Sequence, residues 1–326
     1  DYEPVFGKDL EDIFIKENKK RIEHINKTCA KLKSDRFVEL WKIPNRWQQQ
    51  LIVDQNNKLA YCPVHGAGYS SWAMKLLELH GDEIDDDLDP NEAINTLLKT
   101  FPQIEDSKDV TFISDYDTFM VVRHPFERLL YYYNSKFEYA GNISMYIEYG
   151  ERMVKEYRTL QDVSEEKANI HLKNVRNYIK SLTQGSQPLP QTLINNPYAQ
   201  PLGPTFEEFL RFVIDPNKKD SKMWMPMHLS CSLCTIDYNF VLKFEDFTYE
   251  SLDFLDNIGI MPDRNAFDYL PSLDGPIDPL ITCKYFQKIG LEIIKNLIVK
   301  YHNDILLFDY DVSYYLECIH KASVKL

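Results

Sequence analysis

Short continuous runs of apolar residues alternate along this chain with longer stretches in which apolar residues return at helical spacing. The first run, Lys58 to Val64 (Lys-Leu-Ala-Tyr-Cys-Pro-Val), predicts a short strand, and a glycine-containing turn follows it. Ser70 to His80 then carries Trp72, Met74, Leu76, Leu77 and Leu79 in a helix-like pattern. Thr118 to Arg123 is apolar up to its final arginine, as a parallel strand buried on both faces would be. His124-Pro125 opens a helix through Phe137, since proline loses nothing in a first turn whose N–H groups lack intrahelical acceptors. Tyr238 to Phe244 is a third strand. Strands separated by helices predict an α/β fold, a central parallel sheet flanked by helices.

Other stretches fill in the frame. The first 50 residues are polar and helical, with a basic cluster at Lys16, Lys19, Lys20 and Arg21 that reads as a solvated helix face. Glu83 to Pro90 is an acidic loop; it lacks the turn glycine and spacing of a calcium loop, and reads as solvated. Residues 150–200 are polar, helical to about Leu182 and loop-like from Gln184 to Pro204. Thr205 is the N-cap of an amphipathic helix carrying Phe206, Phe209, Leu210 and Phe212. A long helix from about Leu280 to Tyr301 precedes an aromatic tail, Leu307-Phe308-Asp309-Tyr310. The expected organisation is an N-terminal helical segment, 1–50, and one α/β domain, 51–326, with a variable insertion at about 145–204.

Composition narrows the function classes. With 44% apolar and 27% charged residues the chain can bury a core and is not disordered. The 37 basic and 50 acidic residues give a net charge of −13, which argues against nucleic acid as a partner. No apolar run is long enough to span a membrane. The chain opens on Asp1 without a signal-type segment, so any membrane link is expected through an anchor upstream. Six cysteines and two sequons, Asn26-Lys27-Thr28 and Asn142-Ile143-Ser144, favour a secretory compartment and paired thiols.

Three constellations can carry chemistry. In the first, His65-Gly66-Ala67-Gly68-Tyr69-Ser70-Ser71-Trp72 lies between strand and helix. Small residues there let backbone N–H groups converge on an anion at the helix N-terminus, and Ser70 and Ser71 can add hydroxyl donors. The turn lacks the lysine of a phosphate-binding Walker loop and the third glycine of a dinucleotide fingerprint, so a plain tight turn remains the alternative. In the second, Arg123 ends a strand where open α/β sheets bind ligands, and its planar fork suits a phosphate. A structural pairing with Glu127 is equally open. The third runs from Trp224-Met225-Pro226-Met227-His228 through Cys231-Ser232-Leu233-Cys234 to Lys243-Phe244-Glu245. No second cysteine pair completes a zinc set, so no metal is expected and disulfides are, between these cysteines or to others.

Taken together and in this order, Tyr61-Cys62-Pro63-Val64 with Ser71-Trp72, Val121-Val122-Arg123-His124-Pro125-Phe126-Glu127-Arg128-Leu129, and the third block resemble the Golgi carbohydrate sulfotransferases. The nearest likeness is to the branch with the chondroitin and dermatan 4-O-sulfotransferases. It runs from about Tyr61 to Tyr310 and takes in Thr205-Phe206-Glu207-Glu208-Phe209-Leu210. The resemblance implies a P-loop-like sulfotransferase fold that passes a sulfuryl group from 3′-phosphoadenosine 5′-phosphosulfate to a carbohydrate hydroxyl without a metal. It further implies a glycan acceptor and a Golgi-luminal, type II membrane protein. By similarity Gly66, Ala67, Gly68, Tyr69, Ser70, Ser71 and Trp72 would cradle the 5′-phosphosulfate, and Arg123 would hold the 3′-phosphate.

Three positions depart from the family pattern: Gly66 replaces a lysine, Tyr131 a serine on the 3′-phosphate, and Met223 a histidine. His65 or His228 is the expected substitute as base or electrostatic stabiliser, and Tyr131 the expected donor to the 3′-phosphate or stacking partner of adenine. The alternative is a catalytically inactive homologue acting as a glycan- or protein-binding module. At −13, a highly sulfated polyanion is an awkward acceptor unless basic side chains cluster, and a neutral or lightly charged glycan is easier to accommodate.

Overall fold

A computed structural model of the chain describes residues 8–34, 50–85, 88–101, 104, 110–138, 142–158, 165–181, 202–260, 267 and 277–323. Its elements begin with helix α1 (Lys8–Ser34), strands β1 (Ile52–Asp54) and β2 (Leu59–Cys62), helices α2 (Tyr69–His80) and α3 (Pro90–Thr100), strand β3 (Asp117–Val122) and helix α4 (Pro125–Tyr132). There follow α5 (Glu151–Tyr157), α6 (Glu165–Ser181), α7 (Phe206–Ile214), the single turn α8 (Met227–Ser230), β4 (Phe240–Lys243) and α9 (Phe247–Asn257). The last are α10 (Pro279–Phe286), α11 (Leu291–Lys300), α12 (His302–Leu307) and α13 (Ser313–Ser323). They form two compact units. One comprises Asp1–Pro125, Met225–Pro276 and Tyr301–Asp311; the other Phe126–Trp224, Ile277–Lys300 and Val312–Leu326.

The first unit holds a four-stranded sheet in the order β1-β2-β3-β4. As the apolar runs predict, β2, β3 and β4 are parallel neighbours, with Cys62 opposite Met120 and Val122 opposite Lys243. The edge strand β1 is antiparallel to β2, so the sheet is mixed rather than wholly parallel. Its three residues are too few to stand out as a run. Asp54 makes the turn back to β2 by accepting the N–H groups of Asn56 and Asn57. The sheet interior is apolar: Ala60, Phe119, Met120, Val121, Val122, Val241 and Leu242 are fully buried.

Helix α1 covers the open edge at β4. The Asn18 amide donates to the Asn239 carbonyl at 2.8 Å and accepts the Val241 N–H at 3.1 Å. Arg21 donates to the Val241 carbonyl and grips the Glu250 carboxylate with both guanidinium nitrogens. A strand edge with unpaired N–H and C=O groups invites aggregation, and these side chains satisfy it. Arg21 is therefore not part of a solvated face; Lys16, Lys19 and Lys20 are exposed as expected. Two disulfides, Cys29–Cys234 and Cys62–Cys231, tie this unit together. The paired cysteines of the third block thus bond elsewhere, not to each other.

The second unit is helical. Thr205 caps α7 in a complete capping box: its hydroxyl accepts the Glu208 N–H and Glu208 accepts the Thr205 N–H. Arg158 then clasps Glu208 with two hydrogen bonds of 2.9 Å. Buried aromatic rings fill the interior, with Phe209 against Phe137 and Trp224, and Phe286 stacked on Phe126. After α4 the helix continues as a wider π-helical turn over Tyr133–Phe137. The long helix expected from Leu280 to Tyr301 is two, α10 and α11. The Gln287 and Ile289 N–H groups close the first helix, and the Gly290 carbonyl opens the second by accepting the Ile293 N–H. Cys283 and Cys318 join α10 to α13. Of the polar 150–200 stretch, α6 ends at Ser181, close to expectation; 182–201 lie outside the described residues.

Candidate active site

The carboxyl ends of β2, β3 and β4 bring together the chemistry of the first unit. After Cys62 the chain turns through Pro63 to Gly68 and starts α2 at Tyr69. Gly66 (φ 79°) and Gly68 (φ 73°) both take the left-handed conformation that glycine reaches without strain. At Gly68 a side chain has no room, since a Cβ would lie 2.2 Å from a ring carbon of Phe247. The Trp72 N–H makes the first backbone bond of the helix, to the Gly68 carbonyl at 3.0 Å. The Tyr69, Ser70 and Ser71 amides lie ahead of it, the set that a helix start offers to an anion.

Ser71 is 2% exposed, and its hydroxyl has no hydrogen-bond partner among the described residues. A buried hydroxyl left unmatched costs about 1–3 kcal/mol, so this atom suits a ligand oxygen. Ser70 is also buried. Tyr69 lies against Tyr61 and meets the His65 ring edge-on at 5.1 Å; burial pushes its hydroxyl up to about 12. Trp72, expected at the cradle, belongs to the core instead: it is fully buried among Phe119, Phe254 and Phe267. Its large apolar ring anchors α2 to the sheet.

Arg123 follows β3 directly and is fully buried. One guanidinium nitrogen donates to the Gly66 carbonyl at 3.2 Å, and the group lies 4.5 Å above the Phe244 ring. A cation is thereby fixed at the glycine turn, at the residue where the family pattern has its lysine. Glu127, the alternative partner considered for Arg123, accepts the Tyr315 hydroxyl at 2.8 Å. Tyr131 belongs to the second unit, on α4, half-buried with its ring against Tyr132.

Next to Arg123, the His124 N–H donates to Glu245 at 2.7 Å, and its ring pairs with the Asp311 carbonyl at 3.3 Å. Burial lowers this imidazole to about 4, against the opposing pull of the Asp311 carbonyl. Lys243 is lowered to about 8, again mainly by burial; it donates to the Phe308 carbonyl and sits 3.5 Å from the centre of the Tyr310 ring. From the sequence His124, next to Arg123, is a further candidate to replace the missing cation or base; in the structure it is buried and its imidazole is lowered to about 4.

The two candidate histidines differ in access. His65 is half-buried on the turn itself. His228 is 4% exposed on α8, with its Nδ1 2.6 Å from Asp304. Asp304 also accepts the N–H groups of Met227 and His228, so this buried carboxylate holds α8 in place. The sequence signal for Asp304 is its place in the block Tyr301…Asp304…Leu307-Phe308-x-Tyr310, which resembles a later block of the same family branch; a carboxylate buried this completely needs several donors around it. Among the described residues, no three His, Cys, Asp or Glu side chains converge on a metal position, and no helix is long and apolar enough to cross a membrane.

Comparison with known proteins matches residues 49–311 to the sulfotransferase family. Carbohydrate sulfotransferase 11 of Mus musculus is 26% identical over 277 residues, which cover 82% of this chain and 69% of the mouse protein. Carbohydrate sulfotransferase 14 of Danio rerio is 24% identical, over 80% of this chain and 62% of its own. Carbohydrate sulfotransferase 8 of Mus musculus is 25% identical, over 90% and 63%. The chain thus spans about two thirds of the length of these relatives. No solved structure matches it. With a glycine turn leading into α2, a fixed arginine at the carboxyl end of β3 and a family match over most of its length, the chain belongs to the sulfotransferase family.

Proposed function

We propose that this protein is a carbohydrate sulfotransferase using 3′-phosphoadenosine 5′-phosphosulfate as donor. The observation that carries this reading is the contact of Arg123 with the Gly66 carbonyl, which sets a buried, pre-oriented cation at an anion-binding turn. The backbone from Gly66 to Ser71 and the hydroxyls of Ser70 and Ser71 hold the 5′-phosphosulfate, and Arg123 holds the 3′-phosphate. In the transfer the donor's bond between sulfur and phosphate oxygen breaks as the sugar oxygen bonds to sulfur. The sugar hydroxyl gives up its proton, and adenosine 3′,5′-bisphosphate leaves with the negative charge. His65 is the base, because it lies on the turn and keeps solvent access. His228 is a positioning residue, locked by Asp304.

Three disulfides support an oxidising compartment, and the family resemblance makes that the Golgi lumen, with the chain held by an anchor outside it. The acceptor is a glycan, after the carbohydrate named in its relatives.

Calorimetric titration with adenosine 3′,5′-bisphosphate tests the donor site. Micromolar binding is expected, weakened about a hundredfold in Arg123→Lys, which keeps the charge and loses the planar fork. Ser71→Ala should weaken binding by about fivefold with the fold intact. A folded protein that fails to bind the nucleotide at millimolar concentration would overturn the reading and leave the inactive, glycan- or protein-binding homologue.

A further inference from the structure

The chain's last pass through the first unit, Tyr301–Asp311, reaches the Arg123 corner from far along the sequence. Helix α12 ends in a left-handed turn: the Tyr310 N–H bonds back to the Ile305 carbonyl at 3.0 Å, and Asp309 takes φ 52°. Glycine is the usual residue in that conformation, and another residue there costs about 1 kcal/mol. The turn reverses the chain after the buried Phe308 and brings the half-buried Tyr310 to the carboxyl ends of β3 and β4.

Three contacts meet at the Tyr310 side chain. The Lys243 ammonium lies 3.5 Å from the centre of its ring, and the His124 imidazole meets that ring edge-on at 5.2 Å. Its hydroxyl donates to Glu245 at 3.4 Å, and Glu245 also accepts the His124 N–H at 2.7 Å. These residues are the neighbours of the two points that hold Arg123. His124 follows Arg123 in the chain, while Lys243 and Glu245 flank Phe244, whose ring lies 4.5 Å from the guanidinium. Lys243 and His124 hold the turn's backbone as well, through the Phe308 and Asp311 carbonyls. One side chain thus braces both the backbone that carries the arginine and the ring on which it rests.

We infer that Tyr310 is a positioning residue for the donor site: it fixes Arg123 at the glycine turn and so sets the preference for a nucleotide bearing a 3′-phosphate. A guanidinium makes two parallel hydrogen bonds to a phosphate only over a narrow range of orientation. A small tilt of Phe244 or of the 123–124 backbone therefore costs the grip and leaves the charge in place. The turn that receives the 5′ end has its own support, the Trp72 ring packed in the core, and should not feel the change. The 3′-phosphate rests on the sulfotransferase reading; the bracing of Arg123 rests on the contacts alone.

The test titrates the whole chain with adenosine 3′,5′-bisphosphate and with adenosine 5′-monophosphate, which lacks the 3′-phosphate. The wild type should favour the bisphosphate by about tenfold or more. In Tyr310→Leu, which removes ring and hydroxyl, bisphosphate binding should fall about tenfold while monophosphate binding stays within about twofold. Tyr310→Phe keeps the ring and loses only the long bond to Glu245, so both nucleotides should bind within about threefold of wild type. Beside Arg123→Lys, the leucine substitution should change bisphosphate binding by less than about twofold, because both changes remove the same grip. Circular dichroism checks that each variant is folded; if leucine unfolds the chain, Tyr310→Met, which fills an irregular gap better, takes its place in every comparison. Equal weakening for the two nucleotides, or a full loss that persists beside Arg123→Lys, overturns the proposal. So does a wild type with the bisphosphate preference whose Tyr310→Leu variant keeps it, and the sulfotransferase reading then stands. A folded wild type without that preference overturns both together.

Discussion

Arg123 and Lys173 carry the same charge under opposite conditions. Arg123 is fully buried, stacked on Phe244 and bonded to the Gly66 carbonyl, so folding has already stripped its water and fixed its orientation. Lys173 stands in solvent on α6. The first arrangement is costly to build and can discriminate by geometry, as a small, rigid, doubly phosphorylated nucleotide requires. The second costs little to fold, keeps its water and is screened by salt, so it offers charge without geometry. A transferase that must place one sulfur atom accurately depends on the first kind.

The turn should prove brittle and the surface of α6 forgiving. Gly68→Ala puts a methyl group into Phe247 at a left-handed backbone position, and we expect a loss of about 4 kcal/mol in stability by denaturant unfolding. Nothing comparable is expected at the exposed Asn177, where alanine should cost under about 0.5 kcal/mol. A Gly68→Ala protein of normal stability would remove the basis for calling the turn rigid.

Acid should act on the buried corner. The His124 imidazole is lowered to about 4 by burial, whereas in the unfolded chain it titrates near 6.5. Between those values the unfolded chain binds a proton that the folded one does not, so stability falls as pH drops from about 6.5 towards 4. The largest contribution is about 3 kcal/mol, and His124→Gln should remove it, flattening the stability profile in that window. An identical profile in the variant would show that His124 is not held neutral.

Much of the first unit was legible because a buried parallel strand must be apolar throughout: Phe119 to Val122 and Val241 to Leu242 have no polar alternative. The turn was legible because Gly66 and Gly68 have a conformational reason to be there. What escaped were features set by partners distant in sequence. Arg21 looks like its exposed lysine neighbours until Glu250, 229 residues away, is seen to face it. β1 is recognisable only by its pairing with β2. Gly290 ends one helix and starts the next with no proline to announce it. The cations of α6 were readable in order, but which face of the helix stays open depends on Tyr146.

The connectivity of the first unit's cysteines bears on how the chain can be made. Cys29 and Cys62 are synthesised long before their partners, which lie 205 and 169 residues downstream. At ordinary translation speeds that interval is on the order of 10 s or more, during which the two early thiols have only each other within reach. An oxidant that joins cysteines as they emerge will therefore trap Cys29 with Cys62, and the nested native pairs must be recovered by thiol–disulfide exchange. A host that supplies oxidising power without an isomerase will make this polypeptide and misassemble it, so yield will report on exchange capacity before it reports on sequence.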